Sequence, residues 1–236
     1  GEELVNNPDV RAISFTGSNE VGASIYQKGS KRGIRVQCEM GGKNPVVILD
    51  DADLPLAVEG VVQGGFGSTG QRCTASSRVI VQETIADRFV EMLMARMKQI
   101  RVGDGMDPQV NMGPLVDETQ LQTVSRYLEI GHSEGARLLA GGNRLDDSNY
   151  AHGYFVAPTL FDGVKPEMKI AREEIFGPVV GILRAKSFEE SVDLANAVDY
   201  GLSASLYSTD ISRCLRFVEL AEVGKVHINS PTIGGE

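Results

Sequence analysis

Pro45-Val46-Val47-Ile48-Leu49 runs directly into Asp50-Asp51-Ala52-Asp53, and an apolar stretch follows from Leu54 to Gln63. The uninterrupted Val-Val-Ile-Leu run leaves no face for water. It predicts a central strand of a parallel sheet, buried on both sides. Asp53 suits the start of a helix, because its carboxylate can accept the free N–H groups of a first turn, so a helix is predicted over Leu54–Gln63. Outward from this unit the same alternation repeats. Upstream, Val10–Phe15 reads as a strand, Glu20–Gln27 as a helix and Ile34–Met40 as a strand. Downstream, Gly64–Gly70 reads as a loop leading to Cys73, Arg78–Gln82 as a strand, and Glu83–Ile100 as an amphipathic helix with Phe89, Leu93 and Met97 four apart. Gly103–Pro114 reads as loop, Asp117–Ser133 as helix and Arg137–Ala140 as a brief strand. Gly142–Gly153 is a polar excursion, and Tyr154–Phe161 a strand that Pro158 should confine to a sheet edge. Val179–Arg184, Leu202–Tyr207 and Lys225–Asn229 complete the strands, with helices at Phe188–Ala197 and Ile211–Ala221 between them. Such alternation implies an α/β fold, a mainly parallel sheet with helices on both faces. The best boundary is the pair Gly41-Gly42, giving domains at 1–41 and 42–236.

The 236 residues are 42% hydrophobic, enough for a sizeable core. Lys and Arg number 23 against 32 Asp and Glu, a net charge of −9, which sets nucleic acid and anionic membranes against the chain. No apolar run approaches the roughly 18 residues of a membrane span, and GEELVNN lacks the basic start of a secretory signal. Cys38, Cys73 and Cys214 are odd in number and widely spaced, arguing against a disulfide framework or a thiolate metal site and for a reducing, cytoplasmic setting. The chain starts at Gly1 and stops at Ile233-Gly234-Gly235-Glu236 just after a strand-like run, so both ends are expected to be cuts.

Four places could carry chemistry. Cys73 follows a glycine-rich loop beside Arg72, and a nearby cation favours the nucleophilic thiolate; the alternative is a small buried hydrophobe. Cys38 and Cys214 lie in patterns better suited to packing. Glu39 stands at a strand end before Gly41-Gly42, where open α/β sheets face their ligand crevice; a partly desolvated carboxylate there could serve as a general base, or be merely solvated. Phe15–Gly22 (FTGSNEVG) is a strand, a glycine turn and a helix start, a plausible anion cradle or an ordinary βα turn. In Glu173–Val179 (EEIFGPV), Glu174 could accept hydrogen bonds from sugar hydroxyls with Phe176 as an apolar wall, or the stretch is a helix end.

In order and spacing, FTGSNEVG, Glu39–Asn44 (EMGGKN), Gly70–Cys73 (GQRC) and EEIFGPV resemble the aldehyde dehydrogenase superfamily over essentially the whole chain. Gly113-Pro114-Leu115, Tyr154–Thr159 (YFVAPT) and Tyr200-Gly201-Leu202 support it. The resemblance implies a catalytic domain at 42–236 and a truncated remnant of a Rossmann-like cofactor domain at 1–41. It implies Cys73 as nucleophile and Glu39 as the base that activates water. Gly17, Ser18 and Gly22 would lie by the cofactor pyrophosphate, Glu174 on the nicotinamide ribose and Phe176 beside the nicotinamide. The cofactor would be NAD or NADP, the substrate a small-molecule aldehyde, loosely a semialdehyde of sugar-acid breakdown. The parent enzyme would be a homodimer or homotetramer without nucleic-acid, membrane or metal partners. The family's cofactor-binding Lys and oxyanion-stabilising Asn would precede Gly1, so the isolated chain is expected to have little dehydrogenase activity. Two other readings remain at this stage, a cysteine-dependent hydrolase and a non-catalytic module; His132, His152 and His227 lie in none of the four motifs, which weighs against the first.

Overall fold

The computed structural model describes residues 1–147 and 149–234. Ser148 of the polar excursion, and Gly235 and Glu236 at the end of the second expected domain, lie outside the described residues. The chain forms two compact units, Gly1–Gly41 and Gly42–Glu236.

In the first unit, α1 (Glu2–Asn6) precedes β1 (Ala12–Thr16), α2 (Asn19–Lys31) and β2 (Arg35–Glu39). The two strands pair in parallel, with Phe15 opposite Cys38 and Thr16 opposite Glu39. Ser18 caps α2, its hydroxyl accepting from the Val21 N–H at 3.4 Å. Arg32 at the other end of α2 donates to the carbonyls of Val5, Asn7 and Val10, which ties α1 and the approach to β1 onto the helix.

The second unit begins with β3 (Asn44–Ile48), α3 (Leu54–Phe66), a short 3-10 turn (Gly67–Gly70), β4 (Ser76–Gln82) and α4 (Glu83–Met97). Next come α5 (Glu118–Ser133), β5 (Arg137–Ala140), β6 (Arg144–Leu145), β7 (Phe155–Val156) and β8 (Thr159–Asp162). It ends with α6 (Lys169–Arg172), β9 (Val179–Ala185), α7 (Phe188–Asn196), β10 (Ser203–Tyr207), α8 (Ile211–Leu220) and β11 (Lys225–Ile228). Among the described residues, seven strands form one sheet in the order β11-β10-β3-β4-β9-β8-β5, and every pairing but β5 with β8 is parallel.

The period-2 alternation of a strand explains why both faces are covered. On β3, Val46 and Ile48 join Val79, Val81 and Ile182 under α3 and α4, in a cluster with Phe89 and Leu93. Val47 and Leu49 join Ile80, Leu183 and Leu206 on the opposite face, under α5, α7 and α8 with Val124, Val192 and Phe217. Each such side chain contributes about 1.5–3 kcal/mol on full burial, so neither face can be left bare. Helix α3 lies especially close to the sheet. A Cβ at Gly60 would stand 1.8 Å from Tyr207 Oη, and one at Gly64 2.1 Å from Ser76 Oγ, so glycine here serves close approach.

Asp53 Oδ1 accepts from the Leu56 N–H at 3.1 Å, as the sequence leads one to expect. Asp53→Ala is expected to cost about 1 kcal/mol, read as a lower midpoint in urea unfolding at unchanged slope.

Three expectations need correction. Gly64 and Gly65 belong to α3 rather than to a loop, because the helix needs their small size to sit on the sheet. Pro158 does not mark a sheet edge: it separates β7 from β8, and β8 is interior, paired with both β9 and β5. The polar excursion is not wholly irregular, since β6 pairs antiparallel with β7. Helices α1 and α6, of five and four residues, are too short to leave a periodic signal.

Candidate active site

Helix α3 delivers the chain to Cys73 through unusual backbone. Ser68 (φ 50°, ψ 30°), Thr69 (φ 60°, ψ 29°) and Gly70 (φ 66°) are three successive left-handed residues. This conformation costs an L-residue roughly 1–2 kcal/mol, and a β-branched threonine is among the least suited to it. Gly67 is not where the glycine is needed: its φ is −55° and a Cβ there would meet nothing within 4 Å. The turn is held from outside. Thr69 Oγ1 donates to the Gly113 carbonyl at 3.0 Å, Gln71 Nε2 donates to the Pro114 carbonyl at 3.2 Å, and Gln71 Oε1 accepts from the Val116 N–H at 2.9 Å.

Beyond the turn, Asn44 at the start of β3 donates to the carbonyls of Cys73 (2.8 Å) and Ala75 (2.9 Å). Its own Oδ1 accepts from the Ser203 N–H at 3.2 Å, so one amide joins the Cys73 segment to β3 and β10. Cys73 is exposed, whereas Cys38 is partly buried and Cys214 buried. The thiols of Cys38 and Cys214 face the carbonyls of Gly22 and Ser208. Arg72 Nε donates to Ser68 Oγ at 3.0 Å, bracing the turn.

Glu174 follows α6. Its Oε1 accepts from the Gly42 N–H at 3.1 Å, and burial pushes its carboxyl up, opposed by that N–H and by the Lys43 ammonium. Phe176 has a left-handed φ of 56° and is 38% exposed. Gln120 on α5 fixes it by donating to the Ile175 and Phe176 carbonyls, both at 2.9 Å. Gly42, Gly70, Arg72, Ser77, Glu174 and Phe176 line one pocket. Gly70 could not be larger, because a Cβ there would lie 2.2 Å from the Gly177 carbonyl oxygen.

Two basic side chains, Arg78 and Lys43, are buried. Arg78 donates to the carbonyls of Lys43 (2.9 Å), Leu194 (2.8 Å) and Ala195 (2.8 Å), fixing the Gly42-Lys43 backbone and the end of α7 together. Lys43 is 1% exposed and its Nζ has no hydrogen-bond partner. Burial, aided by the neighbouring Arg78, pushes its amine down to about 7 against the pull of Glu174 and Glu173. Glu173 itself accepts from the Tyr127 hydroxyl at 2.7 Å.

The remaining expected site residues lie in the first unit. The Gly17 N–H donates to the Glu39 carbonyl at 3.0 Å, joining the ends of β1 and β2. Ser18 and Gly22 occupy the start of α2, where the Gly22 N–H already donates to the Ser18 carbonyl at 2.9 Å. The Glu39 side chain falls on the exposed side of β2, not in the partly desolvated position anticipated for it. Cys73, Glu174 and Phe176 thus belong to one unit, and Gly17, Ser18, Gly22 and Glu39 to the other. No histidine lines the pocket next to Cys73. Among the described residues no group of three or more His, Cys, Asp or Glu could hold a metal, and no helix is long and apolar enough to cross a membrane.

Residues 1–236 match the model of the aldehyde dehydrogenase family. The chain belongs to that family. Among curated aldehyde dehydrogenases, it is 48% identical over 236 residues to alpha-ketoglutaric semialdehyde dehydrogenase of Bacillus subtilis, covering 100% of this chain and 48% of that protein. It is 44% identical to alpha-ketoglutarate semialdehyde dehydrogenase of Haloferax volcanii, with the same coverage. The chain therefore spans about half the length of the curated relatives it matches. Among solved aldehyde dehydrogenases, a point mutant of betaine aldehyde dehydrogenase from Staphylococcus aureus, in complex with NAD+ and with a BME-modified cysteine, superimposes with a TM-score of 0.96. It is 35% identical, and the match covers 99% of this chain and 48% of that one.

Sequence reasoning did not assign Lys43, Asn44, Thr69, Arg78 or Gln120. The one available signal was a lysine and an asparagine inside EMGGKN, at the mouth of an apolar strand, where polar groups need a reason.

Proposed function

We propose that this chain supplies the catalytic part of an NAD(P)-dependent aldehyde dehydrogenase, with 42–236 as the catalytic domain and 1–41 as the end of the dinucleotide-binding domain. The observation that carries the proposal is the exposed Cys73 thiol beyond a clamped, strained turn, beside a pocket that presents Glu174 and Phe176. The pocket suits a nicotinamide nucleoside. Glu174 spends one oxygen on the Gly42 N–H, leaving a half-buried carboxylate as acceptor for a ribose diol, and Phe176 is held out as an apolar wall. Gly17 and Ser18 in the turn before α2, and Gly22 in its first turn, are the residues for the pyrophosphate.

In this reading Cys73 Sγ, as thiolate, adds to the aldehyde carbon, and the carbonyl oxygen takes up the negative charge. NAD(P)+, when held by Glu174 and Phe176, would supply the hydride acceptor, and loss of hydride from that carbon leaves a thioester on Cys73. Glu39 removes a proton from water, whose oxygen attacks the thioester; the C–S bond breaks, a carboxylic acid leaves, the Cys73 thiolate is regenerated and Glu39 passes its proton to solvent. The two semialdehyde dehydrogenases among the relatives support a 2-oxoglutarate semialdehyde as substrate. A cytoplasmic homodimer or homotetramer without membrane or nucleic-acid partners completes the reading.

The test is acid quenching of the enzyme with aldehyde and NAD+ or NADP+, followed by peptide mapping. An acyl group on Cys73 is expected; an adduct elsewhere, or ester turnover indifferent to dinucleotide, sinks the reading. Glu39→Gln is expected to lower the steady-state rate of the active enzyme by about 10²-fold or more while leaving a burst of reduced cofactor. A normal steady-state rate without a burst removes Glu39 from the role.

A further inference from the structure

We propose that the left-handed turn Ser68–Thr69–Gly70 is a positioning device for Cys73, with Thr69 as its positioning residue and Gly113–Val116 as its clamp. The proposal rests on the reading of Cys73 as the nucleophile. Of the four non-glycine residues with positive φ among the described residues, Ser68, Thr69 and Phe176 flank or line the pocket beside Cys73. The fourth, Asn229, is of a type that tolerates this conformation. Strained backbone persists only where its surroundings over-determine it, and it gathers at sites that need one geometry.

Sequence and conformation disagree locally in an informative way. The segment carries glycine at 67, where none is required, and threonine at 69, where glycine would be relaxed. Thr69 is 2% exposed, and its hydroxyl is spent on the Gly113 carbonyl. Gln71 binds the same segment with two further hydrogen bonds, at Pro114 and Val116. On the far side, Gly70 is pressed against the Gly177 carbonyl, and Asn44 holds the Cys73 carbonyl. The thiol is thus fixed from both directions along the chain. Without the clamp, Ser68 and Thr69 would relax toward ordinary dihedrals and carry Cys73 with them. The clamp also gives the Gly113-Pro114-Leu115 motif a use, since it supplies the carbonyls.

The experiment measures iodoacetamide alkylation of Cys73 at pH 7 in the folded chain, with Cys38 in the same molecule as the reference. Thr69→Ser keeps the hydroxyl and is expected to keep the Cys73/Cys38 rate ratio within about twofold. Thr69→Val keeps size and branching but loses the clamp, and is expected to lower the ratio about tenfold, because thiol reactivity follows exposure and local charge. Thr69→Gly loses the hydroxyl but sits in the left-handed region without strain, so it is expected between the two. A packing role gives the reverse order, because valine fills the space of threonine and glycine leaves a void. Gln71→Leu, which cuts the second attachment, is expected to act like valine and serves if Thr69→Val does not fold. A parent chain whose Cys73 reacts no faster than Cys38 fails the nucleophile reading, and the positioning role falls with it. A fast Cys73 indifferent to these substitutions, or slowest with glycine, overturns the positioning role alone.

Discussion

In the active enzyme, Cys73→Ala is expected to abolish covalent capture of aldehyde and to lower turnover on the order of 10⁶-fold, the scale seen when a covalent nucleophile is removed. On the proposed reading, removing Sγ eliminates the atom on which both the thiohemiacetal and the thioester would form, so no partial route would remain through this site. The fold should survive. Cys73 is exposed, and its structural attachment is the backbone carbonyl held by Asn44, which alanine keeps. Unfolding midpoints should therefore match the parent within about 0.5 kcal/mol, as for other exposed substitutions. The decisive measurement pairs intact mass after aldehyde and dinucleotide with steady-state rate. A variant that still turns over aldehyde at a measurable fraction of the parent rate places the chemistry on another group.

Lys43→Met is expected to stabilise the protein, most strongly below pH 7. The folded amine is held at about 7 against an ordinary 10.5, so the folded state resists the proton that the unfolded chain accepts readily. Between these values the unfolded state binds more protons, and stability rises with pH. Below pH 7 the whole cost of the buried charge is present; above 10.5 it is gone. At about 1.4 kcal/mol per pKa unit the ceiling is about 5 kcal/mol. Because Nζ has no hydrogen-bond partner to lose, an apolar side chain of similar length should recover about 2–4 kcal/mol of it at pH 6 and little at pH 10. Chemical denaturation at the two pH values checks this. A destabilised variant, or a gain that does not shrink as pH rises, shows that the ammonium is supported by its surroundings. The same substitution removes the cation that opposes the burial-raised Glu174 carboxyl, so that group should titrate higher in the variant.

The sheet was legible because burial writes itself into periodicity. Val46 to Leu49 could only be buried on both faces, and Phe89, Leu93 and Met97 could only line one side of a helix. The candidate site was legible in part, through residue types that are costly or reactive in loops: a cysteine after glycines, a glutamate before a phenylalanine. What escaped was set by distant partners. Gly64 and Gly65 in α3 read as loop, because nothing local says that Ser76 and Val180 lie against them. Pro158 read as an edge, because a proline's missing N–H does not reveal that the strand starts one residue later. The left-handed turn escaped because local preference opposes it; only Gly113 and Pro114, more than forty residues on, make it hold. Lys43 escaped because a lysine at a strand mouth ordinarily reaches water.

The strand order also bears on how the chain is made. β3 lies between β4 and β10, so one flank is closed by a near neighbour in sequence and the other by residues 203–207. On the ribosome, Val46, Val47 and Ile48 must therefore emerge and wait, with one row of backbone donors and acceptors unmatched, until residues 203–207 have followed. That interval is an opening for misassociation with other nascent chains, and it is set by this sheet's wiring rather than by any single residue.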